Sequence, residues 1–524
     1  MVNSSLIREQ LYVYRYYVGA IATTILVCDQ IYRRFFEVPK QLQHIPHLSY
    51  WKHLMSLIMK EPLVSRTQRL IFPLLSQANG LYLNKMPFDW TIYVANPILA
   101  KTVFFKPEYA TKTTFLMDYF PEDSAMMHFA GKDNVAIING EHWKAQRKIM
   151  NPAFHREMPA AVFGSLMPSV FELIKQMQSN GEGHVSVSTL TRRLTLDALG
   201  KAAFDFDFCA LKDEHSVWVE TYNQVVESFL EIIPIFFPTV DRVYKFLSRK
   251  RRERYNATFK LVSLLDDLAD KKREELLQQK LDLEDDRSNN SNDLLTMMLK
   301  AEMRGEGAWT KEELRHNMAI FFLAGHDTTS NSLAFCLYYL AINPDIQAKA
   351  REEALCVLGD EPIDVFPTLE DCKKFTYIDM CIKEGLRLQP PANEITARIT
   401  PKDTDLDLGG IIIPGGSMIN VDIQALHYRP DLWHNSETFI PERFAKGGEH
   451  DLHEGITYAP FSQGGRICLG INFSMTEQRV VLSMLLKKYE WELPSESIHH
   501  DRIVMDQTFN VAPDSLTIKF DSRY

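Results

Sequence analysis

A disulfide framework, a basic nucleic-acid footprint and an apolar run of bilayer length are all missing from this chain of 524 residues. Its seven cysteines stand at positions 28, 209, 336, 356, 372, 381 and 468. Their number is odd and no two form a Cys-x-x-Cys pair, which argues against a disulfide scaffold or a zinc site. The sequons at Asn3, Asn256, Asn289 and Asn472 accordingly carry little weight. Lysine and arginine total 58 against 68 acidic residues, a formal net charge of −10. That balance argues against a nucleic-acid partner. Near the N-terminus, Tyr16 to Cys28 is uncharged for only thirteen residues, short of the ~20 that span hydrocarbon. What the chain does have is apolar mass. Hydrophobic residues make up 45% of it, enough for a sizeable core, and its length is compatible with one large domain.

The N-terminal apolar stretch extends from Leu11 to Tyr32 if Arg15 and Asp29 are included. Its terminal position, the tyrosines Tyr12, Tyr14 and Tyr32 at its edges and the Arg33-Arg34 pair after it favour a membrane anchor over residues 1–38. No small-residue cleavage site follows, so it does not read as a removable signal peptide. Pro39 and Pro46 bound a hinge at 39–50, and the body of the protein runs from 51 to 524.

The chemistry is concentrated near the C-terminus, in Phe461-Ser462-Gln463-Gly464-Gly465-Arg466-Ile467-Cys468-Leu469-Gly470. Glycines let a backbone turn tightly and approach a flat ligand. Arg466 stands two residues before the cysteine, and a helical pattern from Ile471 to Lys488 follows it. Positive charge and a helix start both favour a thiolate, which suits a ligand to a large cofactor. Upstream, Trp143 and Arg147 are four apart in Gly140 to Arg147 and face the same way on a helix. Thr310 to Ile342 reads as the longest apolar helix, opened by a Thr310…Glu313 capping box. Ala324-Gly325-His326-Asp327-Thr328-Thr329 interrupts it with polar groups that need a partner or a task. Phe321, Ala324, Gly325, Thr328 and Ser332 share one face, and the glycine beside threonine hydroxyls would permit a local break or widening.

Other expectations are coarser. A helix and then short strands are expected between Trp51 and Phe105, a mixed covering loop from Thr111 to Asn139, and mostly helix from 160 to 280. The basic run Arg249-Lys250-Arg251-Arg252 reads as a solvated face, and Asp282 to Asp293 as a flexible loop. Glu384 and Arg387 are positioned to pair on a helix that stops before Pro390-Pro391.

The cysteine stretch matches Phe-x-x-Gly-x-Arg-x-Cys-x-Gly, and with three further motifs in order the chain resembles the cytochrome P-450 superfamily over about Leu48 to Lys519. The resemblance implies a mainly α fold with a smaller β region, one haem domain behind an anchor, and haem b as cofactor. It implies Cys468 as the axial iron ligand, Phe461 beside the sulfur and Gly470 closing the loop. Trp143, Arg147 and Arg466 would contact haem propionates, with Arg398 and His427 nearby. Ala324 would lie against the haem, and Asp327 and Thr328 would supply protons during oxygen activation. Glu384, Arg387 and Arg443 would form a structural charge cluster. Ala392 to Thr396, where Glu394 departs from the usual apolar run, would meet substrate, and the segment around Thr508 to Ala512 would form a last pocket hairpin.

Such a protein is expected to use dioxygen, a small lipophilic substrate (steroid, terpenoid, fatty acid or xenobiotic) and electrons from an NADPH-dependent reductase. No flavin-binding or iron–sulfur segment is fused to it, so the donor is a separate protein. The look of the chain is of eukaryotic, membrane-bound members, and the anchor points to the endoplasmic reticulum membrane with the catalytic domain facing the cytoplasm. Two other readings compete: a haem-thiolate isomerase or dehydratase acting on peroxides, and a non-catalytic haem carrier or sensor. The Asp327-Thr328 pair argues against both.

Overall fold

The computed structural model describes residues 36–524 apart from 86–88, 156–159, 181–182, 230, 279–292, 307–308, 394–396 and 507–511, together with scattered positions between 14 and 32. Most of the anchor expected over residues 1–38 therefore lies outside the described residues. So do most of the loop 282–293, Glu394 and the tip of the C-terminal hairpin. No helix among the described residues is long and apolar enough to cross a membrane.

Helices dominate. The principal ones are α1 (Tyr50–Ile58), α2 (Pro97–Phe105), α3 (Ala125–Ala130), α4 (Gly140–His155), α5 (Ala160–Asn180), α6 (Val187–Leu199), α7 (Val217–Phe229), α8 (Pro238–Leu247), α9 (Arg249–Gln278), α10 (Leu294–Met303), α11 (Lys311–Ala341), α12 (Pro344–Leu358), α13 (Thr376–Leu388) and α14 (Ile471–Lys488). The strands are β1 (Leu81–Lys85), β2 (Trp90–Val94), β3 (Thr111–Lys112), β4 (Val185–Ser186), β5 (Arg398–Ile399), β6 (Leu406–Asp407), β7 (Ile412–Ile413), β8 (Met418–Val421), β9 (Tyr489–Glu492), β10 (Met505–Asp506), β11 (Ala512–Pro513) and β12 (Thr517–Ser522). A five-stranded sheet in the order β1-β2-β8-β5-β3 stands apart from a three-stranded β4-β12-β9 sheet and two short pairs, β6-β7 and β10-β11. In the larger sheet only β2 and β8 run parallel.

Local chemistry accounts for several boundaries. Asn96 accepts from Ile98 and Leu99 N–H and Pro97 fills the first helical turn, so α2 begins directly after the sheet. The expected capping box opens α11: Thr310 Oγ1 accepts from Glu313 N at 3.1 Å, and Glu313 Oε2 accepts from Thr310 N at 2.9 Å. Residues expected as a hinge lie along the sheet, with Leu83 N donating to Pro46 O and Leu48 N donating to Leu83 O, each at 2.8 Å. Leu42, Ile45 and Leu48 are buried there.

The helix α11 runs through the interior and packs on α6, α13 and α14. Gly325 faces α6: a Cβ there would meet Leu199 Cδ1 at 2.8 Å. On the far side, Arg387 donates twice to Glu384 at 2.8 Å, Arg443 Nε donates to the same carboxylate at 3.2 Å, and Arg443 also bonds Glu449. Glu384, Arg387 and Arg443 are all buried. With the charges matched and further donors going to His427 O and Ser436 O, the cluster ties α13 to the chain leading into the cysteine loop.

The run 249–252 departs from expectation. Arg251 is buried, with its guanidinium bidentate on Asp241 at 2.7 Å and its Nη1 on Ser228 Oγ at 2.6 Å. It clamps α7, α8 and α9 together, while Arg249 is solvated and pairs with Glu253 one turn on. A charge run shows only that some face is polar. Asp241, ten residues upstream, turns one member inward.

Candidate active site

The cysteine loop leads directly into α14, which begins at Ile471. Gly464 has φ +69°, and a Cβ there would lie 2.4 Å from Phe104 O, so only glycine fits. Cys468 N donates to Phe461 O at 2.9 Å, which closes the loop on itself. Cys468 is accessible to solvent, yet it lies so deep that burial is the main influence on its thiol. Both hold when a side chain borders an internal space rather than the outer surface. Burial pushes the thiol pKa up, while the Gly470 N–H at the start of α14 and the Arg147 charge pull it down. The helix start acts as expected, but the cation felt at the sulfur is Arg147 and not Arg466. A Cβ on Gly470 would stand 3.9 Å from Cys468 Sγ.

Arg466 points elsewhere. Its Nη2 donates to Ile138 O and Asn139 Oδ1, both at 2.7 Å, and its guanidinium carbon lies 3.9 Å from the Trp143 ring centre. Arg147 Nη2 donates to Ile467 O at 2.7 Å. Arg398, buried on β5, donates Nη1 to Val103 O at 2.6 Å. A fourth cation, Lys112, is the direct cross-strand partner of Arg398. Like charges facing each other across antiparallel strands repel. Lys112 is held down to about 7 by burial and by Arg398, Arg466 and Arg147, and Arg466 to about 10 by burial and by Arg398 and Arg147. Several buried donors here, Arg398 Nε and Nη2, Arg466 Nη1 and Trp143 Nε1, have no partner among the described residues. Crowded cations with spare donors fit a ligand that carries two carboxylates.

His427 differs from the others. It is fully buried, Nδ1 bonds Arg387 O and Nε2 accepts from Ala459 N, each at 3.0 Å. It has no donor left for that ligand.

On α11, Ala324 is exposed and Thr328 half-buried, although the helix around them is interior. Their common face is the open one. Gly325 looks the other way, into Leu199, and does not leave room for a ligand. The break or widening that this sequence would permit is not used: α11 is continuous, and Thr328 Oγ1 donates to Ala324 O at 2.9 Å. Asp327 is buried on a different side, where Tyr222 Oη donates to its Oδ2. Arg192 Nε lies 3.9 Å and His326 Nε2 3.6 Å from its Oδ1. Sequence reasoning missed Lys112, Tyr222 and Arg192. Each is a lone residue outside any motif, brought in by strand pairing or helix crossing.

A flat dianionic cofactor with a cysteine at its centre is what these groups suit, and a helical protein so arranged is of the haem-thiolate class. The chain belongs to the cytochrome P450 family, whose profile matches residues 81–520. It is 30% identical over 357 residues to cytochrome P450 4A6 of Oryctolagus cuniculus, covering 68% of each chain. It is 29% identical over 360 residues to the taurochenodeoxycholic 6 alpha-hydroxylase of Sus scrofa, covering 68% of this chain and 69% of that one. The crystal structure of the cytochrome P450DA heme domain superposes with a TM-score of 0.72 at 22% identity, covering 92% of this chain and 98% of that one. The protein is thus a haem-thiolate monooxygenase.

The cation cluster yields a prediction with opposite signs in the two forms of the protein. Lys112→Met should speed haem transfer to apomyoglobin by about tenfold, since a hydrogen bond to a charged group contributes ~1.5–3 kcal/mol. It should also raise the melting temperature of the cofactor-free protein at pH 7. The lowered pKa of Lys112 means that its charge costs the folded apo form stability, a cost that shrinks as pH rises from about 7 toward the unfolded value. Slow haem transfer in the variant would place Lys112 outside the cofactor's reach.

Proposed function

We propose that the chain inserts one atom of dioxygen into a lipophilic molecule, reducing the other to water with two electrons from NADPH delivered by a separate reductase. Haem b supplies the oxidising chemistry when bound. Cys468 would hold its iron, with Phe461 and Gly470 shaping the loop around the sulfur. Trp143, Arg147, Arg398 and Arg466, with Lys112, would hold its propionates. Ala324 leaves the middle of α11 bare for the cofactor face. Thr328 keeps its hydroxyl proton on Ala324 O and offers its lone pairs to a water, and Asp327 is the nearby acid. The observation that carries this reading is that Cys468 stays solvent-accessible although burial dominates its thiol, in a chain whose long interior helix α11 leaves its Ala324–Thr328 face open.

A lipid-like substrate and an endoplasmic reticulum membrane, with residues 1–38 as anchor, 39–50 as hinge and 51–524 as the catalytic body facing the cytoplasm, accord with two further observations. One relative's name describes hydroxylation of a bile-acid conjugate. The other is the apolar surface of the body: Phe237, Val240, Val243, Phe246 and Leu247 are exposed on and before α8, as are Trp51, Met55 and Ile58 on α1. Apolar patches of this kind suit a membrane surface.

The test is product analysis of a panel of steroids, bile acids, terpenoids and fatty acids with reductase, NADPH and ¹⁸O₂. Hydroxylated product carrying one labelled oxygen, formed only with NADPH and reductase, is the expected result. Rapid conversion of lipid hydroperoxides without either, and no hydroxylation with both, would make the rearranging enzyme the better reading.

A further inference from the structure

We propose that Tyr222 is a positioning residue that holds the Asp327 carboxylate against α7 and off the Thr328 face of α11, so that the seating of α7 decides when this acid is available. The inference rests on the monooxygenase reading above for its consequence in turnover, but not for its geometry.

Successive residues on a helix point ~100° apart. Thr328 lies on the open side of α11 with Ala324, whereas Asp327 is buried among α6 and α7. Three groups face its carboxylate. Tyr222 Oη, from α7, donates to Oδ2. Arg192, from α6, stands 3.9 Å from Oδ1 with its side chain 44% exposed, and so joins the carboxylate to the surface. His326, from α11 itself, bonds Phe322 O through Nδ1 at 2.7 Å and turns Nε2 toward Oδ1 at 3.6 Å. Burial lowers the His326 pKa, so its ring is neutral at pH 7, with the proton on Nδ1 and no donor on Nε2. Oδ1 is therefore buried without a hydrogen bond among the described residues.

Among the described residues, the only hydrogen bond to the carboxylate thus comes from a different helix. Tyr222 is fixed in turn, with its ring edge-on to His326 at 4.4 Å and to Phe322 at 5.3 Å. Burial and the Asp327 charge raise the phenol pKa well above 10. It keeps its proton and serves as a clasp, not as a proton source. While the clasp is closed, Asp327 is turned from Thr328, and displacement of α7 frees it.

Tyr222→Phe tests this by removing one oxygen while keeping the ring contacts. The first readout needs no turnover. In the ferric protein, the infrared stretching band of the Asp327 carboxylate, identified by its loss in Asp327→Asn, should shift in frequency in the variant, because the hydrogen bond to its Oδ2 is gone. The second is NADPH oxidation with reductase but no substrate, which should rise at least threefold and end in hydrogen peroxide. Adding Asp327→Asn to Tyr222→Phe should return it to the level of Asp327→Asn alone. An unmoved carboxylate band overturns the clasp even if the protein proves not to be a monooxygenase. A shifted band with unchanged NADPH oxidation overturns the control of availability. A wild type that hydroxylates nothing counts against the functional reading alone.

Discussion

Cys468→His eliminates the red-shifted absorption band that a ferrous haem-thiolate protein gives with carbon monoxide, and with it all NADPH-supported hydroxylation. Among the described cysteines the others are excluded by their surroundings. Cys336, Cys372 and Cys381 are buried in the helical core, and burial pushes the Cys336 thiol up to about 12 and Cys372 to about 11. Burial likewise raises the Cys381 thiol well above its ordinary value. Cys209 and Cys356 are exposed outside the glycine loop. Only Cys468 combines a sulfur facing an interior space with an amide donor from Gly470 and a cation, Arg147, within electrostatic reach. Imidazole can still bind iron, so the variant is expected to retain part of its haem, which separates loss of the ligand from loss of the fold. The measurement is the reduced, CO-bound difference spectrum alongside total haem. A surviving red-shifted band would mean that another thiolate is the ligand.

Thr328→Ala should leave haem content and the rate of electron input near those of the wild type while cutting product per NADPH by roughly tenfold or more. Positioned acid–base groups are typically worth ~10²–10⁴-fold. Here the loss takes the form of diverted electrons, with dioxygen leaving as hydrogen peroxide in place of water and hydroxylated product. Thr328 donates to Ala324 O at 2.9 Å, so its contribution in this geometry is as an acceptor that fixes a water on the open face of α11. Alanine keeps the helix and loses the acceptor. Thr328→Ser, which keeps the hydroxyl, should restore most of the coupling, as a purely steric role for the threonine methyl would not allow. Equal product per NADPH in wild type and Thr328→Ala would reduce the hydroxyl to a helix-packing group.

The parts of this molecule that were legible in its sequence are those whose partners are close in the chain. The Thr310–Glu313 capping box, the helix start at Ile471 and the Glu384–Arg387 pair are each set within four residues, and all three are present. The order of the motifs supplied the rest of the family assignment. What was not legible depends on rotation or on distance. Ala324 and Gly325 look interchangeable as small residues, but ~100° of helix separates their faces; one is bare and the other packs on Leu199. Arg466 looked like the cation for the sulfur because it is two residues away, yet the loop turns it toward Asn139 and brings Arg147 in from α4. Lys112 needed the pairing of β3 with β5, and Tyr222 the crossing of α7 over α11. No spacing rule within one segment contains either fact.

The gathering of Lys112, Arg147, Arg398 and Arg466 has a consequence for how much of this protein a cell can keep. Cations assembled around one site favour the native state most strongly when their counter-charge is in place, and a ligand that binds only the native state stabilises it by RT ln(1 + [L]/Kd). With haem as that counter-charge, as proposed above, haem supply would act as a quality-control signal: chains made faster than porphyrin arrives would spend longer open to proteases, and the steady-state amount of enzyme would follow the cofactor pool as well as transcription.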